Sequence, residues 1–200
     1  MRIVLFVMLV LGLGGCATAP PNQPDNLCRI FQEKSGWYKA ANKSEQRWGA
    51  PIPLQMAIIY HESAFVANAR PPRGRLLWII PWKRPSSAYG YTQALDSTWD
   101  MYVREAGSRW ASRRDFADAT DFVGWYIDKS AAMLGIAKTD AYSQYLAYHE
   151  GQGGYRRGSY RGKPRVRNTA RRVAARSAKY GRQLQTCRAE LEAGSGWWPF

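Results

Sequence analysis

The chain has 200 residues, 46% of them hydrophobic, and 29 Lys and Arg against 15 Asp and Glu give a formal net charge of +14. That length suits one domain with a real core, and no internal repeat is evident. A cationic surplus this large calls for anionic surroundings, and the apolar run at residues 3–13 falls well short of the ~20 residues that a bilayer-crossing helix needs.

Met1-Arg2 precedes that apolar run and small residues follow it, the layout of a secretory signal. The run ends Leu13-Gly14-Gly15-Cys16, which resembles the bacterial lipoprotein signal. The resemblance implies that residues 1–15 are removed, that Cys16 is lipidated, and that the protein is periplasmic and held to a membrane by acyl chains. Ala17 after the cysteine favours the outer membrane by the same analogy; a plain cleaved signal is the rival. Residues 16–25 hold Pro20, Pro21 and Pro24 and no large apolar side chain, so they read as a semi-stiff lipidated tether. With Cys16 taken by lipid, Cys28 and Cys187 remain, and an oxidising compartment predicts a disulfide between them. The loop it closes is long, worth about 5 kcal/mol by loop entropy.

Leu27, Phe31, Tyr38 and Ala41 recur at helical intervals and predict one helix from residue 28 to about 47, ended by Gly49-Ala50-Pro51. Leu54, Ala57, Ile58 and Ile59 then offer apolar contacts nearly all round, the sign of a helix sunk in a core, with Pro53 in its first turn. Glu62 follows at its end. An acid there loses solvation, which favours its protonated form, as a general acid requires. On its own the stretch reads first as an ordinary solvated Glu.

Residues 65–85 carry Pro71, Pro72, Gly74, Pro81 and Pro85 and read as a loop. Inside it, Leu76-Leu77-Trp78-Ile79-Ile80-Pro81-Trp82 is either a buried strand or an apolar lip whose Trp78 or Trp82 stacks on a sugar ring or touches lipid. Ser87-Ala88-Tyr89-Gly90-Tyr91-Thr92-Gln93 makes a tight turn. Asp96 or Ser97 is placed to cap a helix through about Ala106. Asp115 caps the next, striped by Phe116, Ala119, Val123, Tyr126 and Ile127 and closed by Gly135. Asp140 starts another, with Tyr142, Tyr145, Leu146 and His149 at helical spacing and Gly151 as a stop.

From Pro164, the residues Val166, Ala170, Val173, Ser177, Tyr180, Leu184, Cys187 and Leu191 alternate steps of four and three, one continuous apolar face. A coiled coil is the rival to packing on the domain. Residues 194–200 form an aromatic tail. The fold class is therefore mainly α: a single compact helical domain, residues 26–193, with a long basic carboxy-terminal helix.

Residues 151–189 contain twelve Lys or Arg and no Asp or Glu. Nucleic acid is one partner for such a face, but an exported chain meets no genome. Phospholipid head groups, lipopolysaccharide phosphates or peptide carboxylates of the cell wall fit better, and a solvated face with no specific partner stays open.

Three short motifs stand in order: His61-Glu62-Ser63, then the turn ending Gly90-Tyr91-Thr92-Gln93, then Ala147-Tyr148-His149-Glu150-Gly151. Together they resemble the lysozyme-like (α+β) domain of soluble lytic transglycosylases, over residues 46–155. That family ends a buried helix in Glu-Ser, follows it with a small-residue turn ending Gly-x-x-Gln, and closes a later helix with Ala-Tyr-Asn-x-Gly. The resemblance implies Glu62 as the catalytic acid and Ser63 as its supporting neighbour. By the same resemblance Tyr89, Gly90 and Gln93 are expected to line the sugar groove, Tyr148 to face the acid, and His149 and Glu150 to border the substrate. His149 stands where the family has Asn, Glu150 where it has a small residue, and the segment around Leu76–Trp82 is longer than usual.

Glycosidases with two acids place them roughly 5–9 Å apart around the bond. Here the motifs supply one obvious acid, and the resemblance implies a route that needs only one. Glu62 protonates the oxygen between N-acetylmuramic acid and N-acetylglucosamine in peptidoglycan, and the muramic acetamido group assists at the anomeric carbon. Glu62 then takes the proton from the sugar's own hydroxyl, which closes an anhydro ring without water, metal or cofactor. Glu150 is either a second carboxylate that activates water, making a hydrolytic muramidase, or the partner of an arginine such as Arg156 or Arg157. His61 and His149 lack a third ligand at metal-binding spacing. A non-catalytic, anchored peptidoglycan-binding module is the remaining alternative.

Overall fold

One helix of twelve residues, Ile52–Ser63, is hidden on nearly every side, most extensively by the long carboxy-terminal helix. The structure, a computed structural model, describes residues 19–73, 75–76, 80–81 and 86–194. In chain order the elements are α1 (Leu27–Glu33), α2 (Trp37–Trp48), α3 (Ile52–Ser63), β1 (Arg75–Leu76), β2 (Ile80–Pro81), α4 (Asp96–Glu105), α5 (Phe116–Leu134), α6 (Ala141–Arg156) and α7 (Pro164–Gly194). The fold is thus mainly α, as expected. β1 and β2 pair antiparallel, Leu76 opposite Ile80; Trp78 and Trp82, Cys16 and residues 195–200 lie outside the described residues. No helix among those described is long and apolar enough to cross a membrane.

α3 earns its central place from its sequence. Ile52, Leu54, Met56, Ala57, Ile58 and Ile59 are all buried, and each large aliphatic side chain so placed contributes ~1.5–3 kcal/mol. The one amide among them, Gln55, donates from Nε2 to the carbonyls of Ala50 at 2.8 Å and Ala41 at 3.3 Å, which offsets part of the cost of burying its unpartnered Oε1. α7 packs along α3 and α6, and α2 crosses α5. That second crossing is close: a Cβ on Gly124 would stand 2.3 Å from Ser44 Oγ. Ser44 instead donates to the carbonyl of Thr120 at 2.8 Å.

Several boundaries fall where the sequence puts them. The Asp115 carboxylate accepts from the N–H groups of Ala117 and Asp118, and that of Asp140 from Ser143, each satisfying donors that a helix start leaves unpaired. Gly135 ends α5 in the left-handed region. Cys28 on α1 and Cys187 on α7 form the expected disulfide, with Cα atoms 6.1 Å apart. α7 docks its Ala170, Val173, Tyr180, Leu184 and Cys187 face on the domain rather than on a coiled-coil partner.

Other expectations need correction. The single first helix is two, because Lys34 leaves helical geometry and Gly36 begins α2 afresh. The Phe31–Tyr38 ring contact, centroids 5.4 Å apart, spans the break, so the apolar spacing runs on where the backbone does not. Asp96 sits inside α4 and does not cap it; its carboxylate is taken by Arg113 at 2.7 Å. Gly151 bends α6, with φ 72° and ψ 157°, and helical structure resumes beyond it to Arg156. The end of the proline-rich segment is held to the domain: Asn22 donates to Glu33, and the carbonyls of Pro24 and Asp25 accept from α7.

Candidate active site

Glu62 sits in the last turn of α3, and the backbone beyond it turns abruptly. Ala64 and Phe65 have φ of 49° and 63°, two left-handed residues in succession without glycine. Such geometry costs of order 1–3 kcal/mol per residue. The Phe65 ring offsets it by burying itself completely beside Trp37 and Tyr60. Ser63 donates back to the Ile59 carbonyl at 3.1 Å and is buried. It secures the helix end and does not line the cleft.

That cleft, about 460 Å3, is lined by Glu62, Gln93, Leu95, Thr98 and two tyrosines, Tyr126 and Tyr148, with His149, Glu150 and Gly151 at its α6 side. Four elements and one loop therefore converge on a single carboxyl. Burial pushes Glu62 up to about 7, against the opposing pull of the Tyr145 hydroxyl. Tyr145 itself is raised, first by burial and then by the charge of Glu62.

The turn before α4 is built on backbone contacts. Gly90 has φ 76°, and a Cβ there would stand 2.1 Å from the Arg113 carbonyl oxygen, so no side chain fits. Gln93, itself at φ 50°, spends its side-chain N–H groups on the carbonyls of Gly90 at 2.9 Å and Ala69 at 3.0 Å. This ties the turn to the chain leaving α3. Tyr148 completes the frame: its hydroxyl donates to the Thr92 carbonyl at 2.7 Å, and its ring meets Tyr126 at 5.0 Å.

The sequence-derived set therefore divides. Glu62, Gln93, Tyr148, His149 and Glu150 meet in one cleft, while Gly90 and Ser63 support it from behind. Tyr89 faces a different hollow, where the guanidinium groups of Arg70 and Arg113 lie over its ring at 4.2 and 5.4 Å. Glu150 pairs with neither Arg156 nor Arg157. Ser159 donates to it, Lys163 binds both its oxygens at 2.8 and 3.0 Å, and His149 Nδ1 lies 3.1 Å away. Although its own burial opposes this, Lys163 and Ser159 hold it down at about 2. Tyr145 is the residue the motifs missed. One turn before Tyr148 on a helix, it carried only the signal of a core tyrosine.

The family described as transglycosylase SLT domain matches residues 4–187. No curated protein matches the chain.

Proposed function

Since the chain belongs to the transglycosylase SLT domain family and is a peptidoglycan lytic transglycosylase that acts on the cell wall in the periplasm, we propose that Glu62 is its one acid and base. Glu62 protonates the glycosidic oxygen between N-acetylmuramic acid and N-acetylglucosamine. The muramic acetamido group supports the anomeric carbon as the bond breaks. The Glu62 carboxylate then accepts the proton of the muramic hydroxyl that closes the anhydro ring, and is ready for the next bond.

One observation carries this reading: the two carboxyl groups of the cleft are held in opposite states. Glu62, raised to about 7 by burial, keeps a proton to donate near neutral pH and can take one back. Glu150, locked by Lys163 and Ser159 and lowered to about 2, is a poor base for activating water. The pair therefore favours the anhydro product over hydrolysis. Gln93, Leu95, Thr98 and Tyr148 are the walls that receive the sugars, with His149 at the rim.

Membrane attachment completes the reading. The Leu13-Gly14-Gly15-Cys16 sequence supports acylation at Cys16, with the outer membrane as destination. Glu62→Gln tests the catalytic assignment: it is expected to abolish cleavage of purified cell wall while far-ultraviolet circular dichroism stays unchanged. Residual cleavage above about one part in a hundred would remove Glu62 from the role.

A further inference from the structure

α7 is two-faced. With Ala170, Val173, Tyr180, Leu184 and Cys187 turned inward, the helical angle of ~100° per residue brings Arg171, Lys179 and Arg182 to the outward side and Arg165 and Arg172 to the flank beside it, all exposed. Arg165, Arg171, Arg172 and Arg182 form no ion pair among the described residues. The stripe runs ~25 Å along the helix.

Midway along it, against the end of α3, lies a hollow of about 280 Å3 walled by Asp25, His61, Arg172, Ala175, Arg176 and Lys179. Its one carboxylate, Asp25, is already shared by Arg176 at 2.7 Å and Lys179 at 3.7 Å. The hollow thus keeps a net positive charge, with guanidinium groups suited to bidentate binding of phosphate.

The course of the amino-terminal segment says what meets this face. Pro21 is buried, and the carbonyls of Pro24 and Asp25 accept from Arg176, Tyr180 and Gln183 of α7. The segment therefore holds Pro21 within four residues of Asp25, which walls the hollow. From Cys16 to that point an extended chain reaches at most ~20 Å. On the reading that Cys16 is acylated, on which this inference rests, the leash is too short for the domain to turn this face far from the bilayer.

We propose that the basic face of α7, centred on the Arg172–Lys179 hollow, docks on the phosphate head groups of an anionic bilayer. The enzyme rests on its membrane by this face and does not swing on a free tether. Cations near an anionic lipid surface strengthen attachment severalfold each, and salt weakens it.

The test measures partition of the full-length chain onto phosphatidylcholine vesicles and onto vesicles that also contain phosphatidylglycerol, expressed as a ratio. The ratio cancels whatever an acyl chain or the apolar run adds equally to both. It is expected to exceed one clearly, to fall as salt rises, and to drop at least about tenfold in the Arg165→Gln/Arg172→Gln/Lys179→Gln/Arg182→Gln chain. The chain Lys39→Gln/Lys43→Gln/Arg104→Gln/Arg109→Gln loses the same charge from other exposed sites and is expected to keep the wild-type ratio. Thermal unfolding checks both; if the first does not fold, Arg165→Gln/Arg182→Gln, outside the hollow, takes its place with a smaller drop expected. A wild-type ratio near one, equal losses in the two charge-matched chains, or inorganic phosphate binding without any vesicle preference overturns the proposal. The acyl mass on the amino-terminal peptide is read separately: its absence beside an intact ratio refutes the anchor and leaves the docking face standing.

Discussion

The hydroxyl of Tyr145 opposes the upward push that burial gives the carboxyl of Glu62, and one turn along α6 the hydroxyl of Tyr148 is spent on the Thr92 carbonyl at 2.7 Å. The two tyrosines divide the work: one tempers the acid's proton affinity, the other braces the turn that faces it. A hydrogen bond to the ionised form favours that form, so Tyr145 moderates a carboxyl that burial alone would raise further.

Tyr145→Phe removes that hydroxyl. The Glu62 titration is expected to move upward from about 7, by roughly one unit if the lost bond is typical of a charged acceptor. In the proposed mechanism cleavage depends on the protonated acid, so the fall of kcat/KM at high pH should shift upward with it. The pH–rate profile of the variant checks this, and an unmoved limb would place Tyr145 in a packing role only.

Glu62 also leaves a mark on stability. Its folded value is raised above the ordinary 4.5, so the stability it contributes is full below pH 4.5 and is lost as pH rises through about 7. Glu62→Gln cannot ionise. It should therefore match wild type near pH 4 and exceed it at pH 8 by ~1–3 kcal/mol, measured by denaturant unfolding at both pH values.

Glu150 has the opposite sign. Its folded value is lowered to about 2, so its contribution is present above pH 4.5 and is lost as pH falls through 2. Lys163→Met strands a carboxylate whose side chain is only 4% exposed and should cost about 1–3 kcal/mol at pH 7, read from the unfolding midpoint. If Glu62 is the one acid and base, as proposed, Glu150→Gln should still give anhydro products.

Gly90→Ala places a Cβ within 2.1 Å of the Arg113 carbonyl at a backbone φ of 76°. Either the turn or the segment before α5 must move, and Gln93 moves with it. Loss of about 2 kcal/mol or more of stability and a drop in activity well beyond that of an exposed control such as Ala178→Gly are expected.

Much of this was legible in the chain, and the reasons are local. α3 and its terminal Glu62 stand out because an all-round apolar helix has few other uses, and Asp115 and Asp140 announce helix starts by chemistry that acts within three residues. What stayed hidden depends on distant partners. Asp96 resembles a cap until Arg113, seventeen residues on, claims it. Pro24 reads as tether because what holds it is its carbonyl, and the groups that bind it, Arg176 and Tyr180, lie more than 150 residues away. Glu150 met Lys163 and not a neighbouring arginine because the chain beyond the Gly151 bend returns to it. Tyr89 shares a motif with Gln93 yet faces Arg70; adjacency in sequence did not carry it into the cleft.

Mass analysis of the muropeptides released from purified cell wall bears most directly on the role of Glu62. Wild type is expected to release products that each lack one water relative to hydrolysis, ending in anhydro-muramic acid, and Glu62→Gln to release none. Products with ordinary reducing ends, lost on Glu150→Gln, would contradict the one-acid mechanism and hand the chemistry to the second carboxylate.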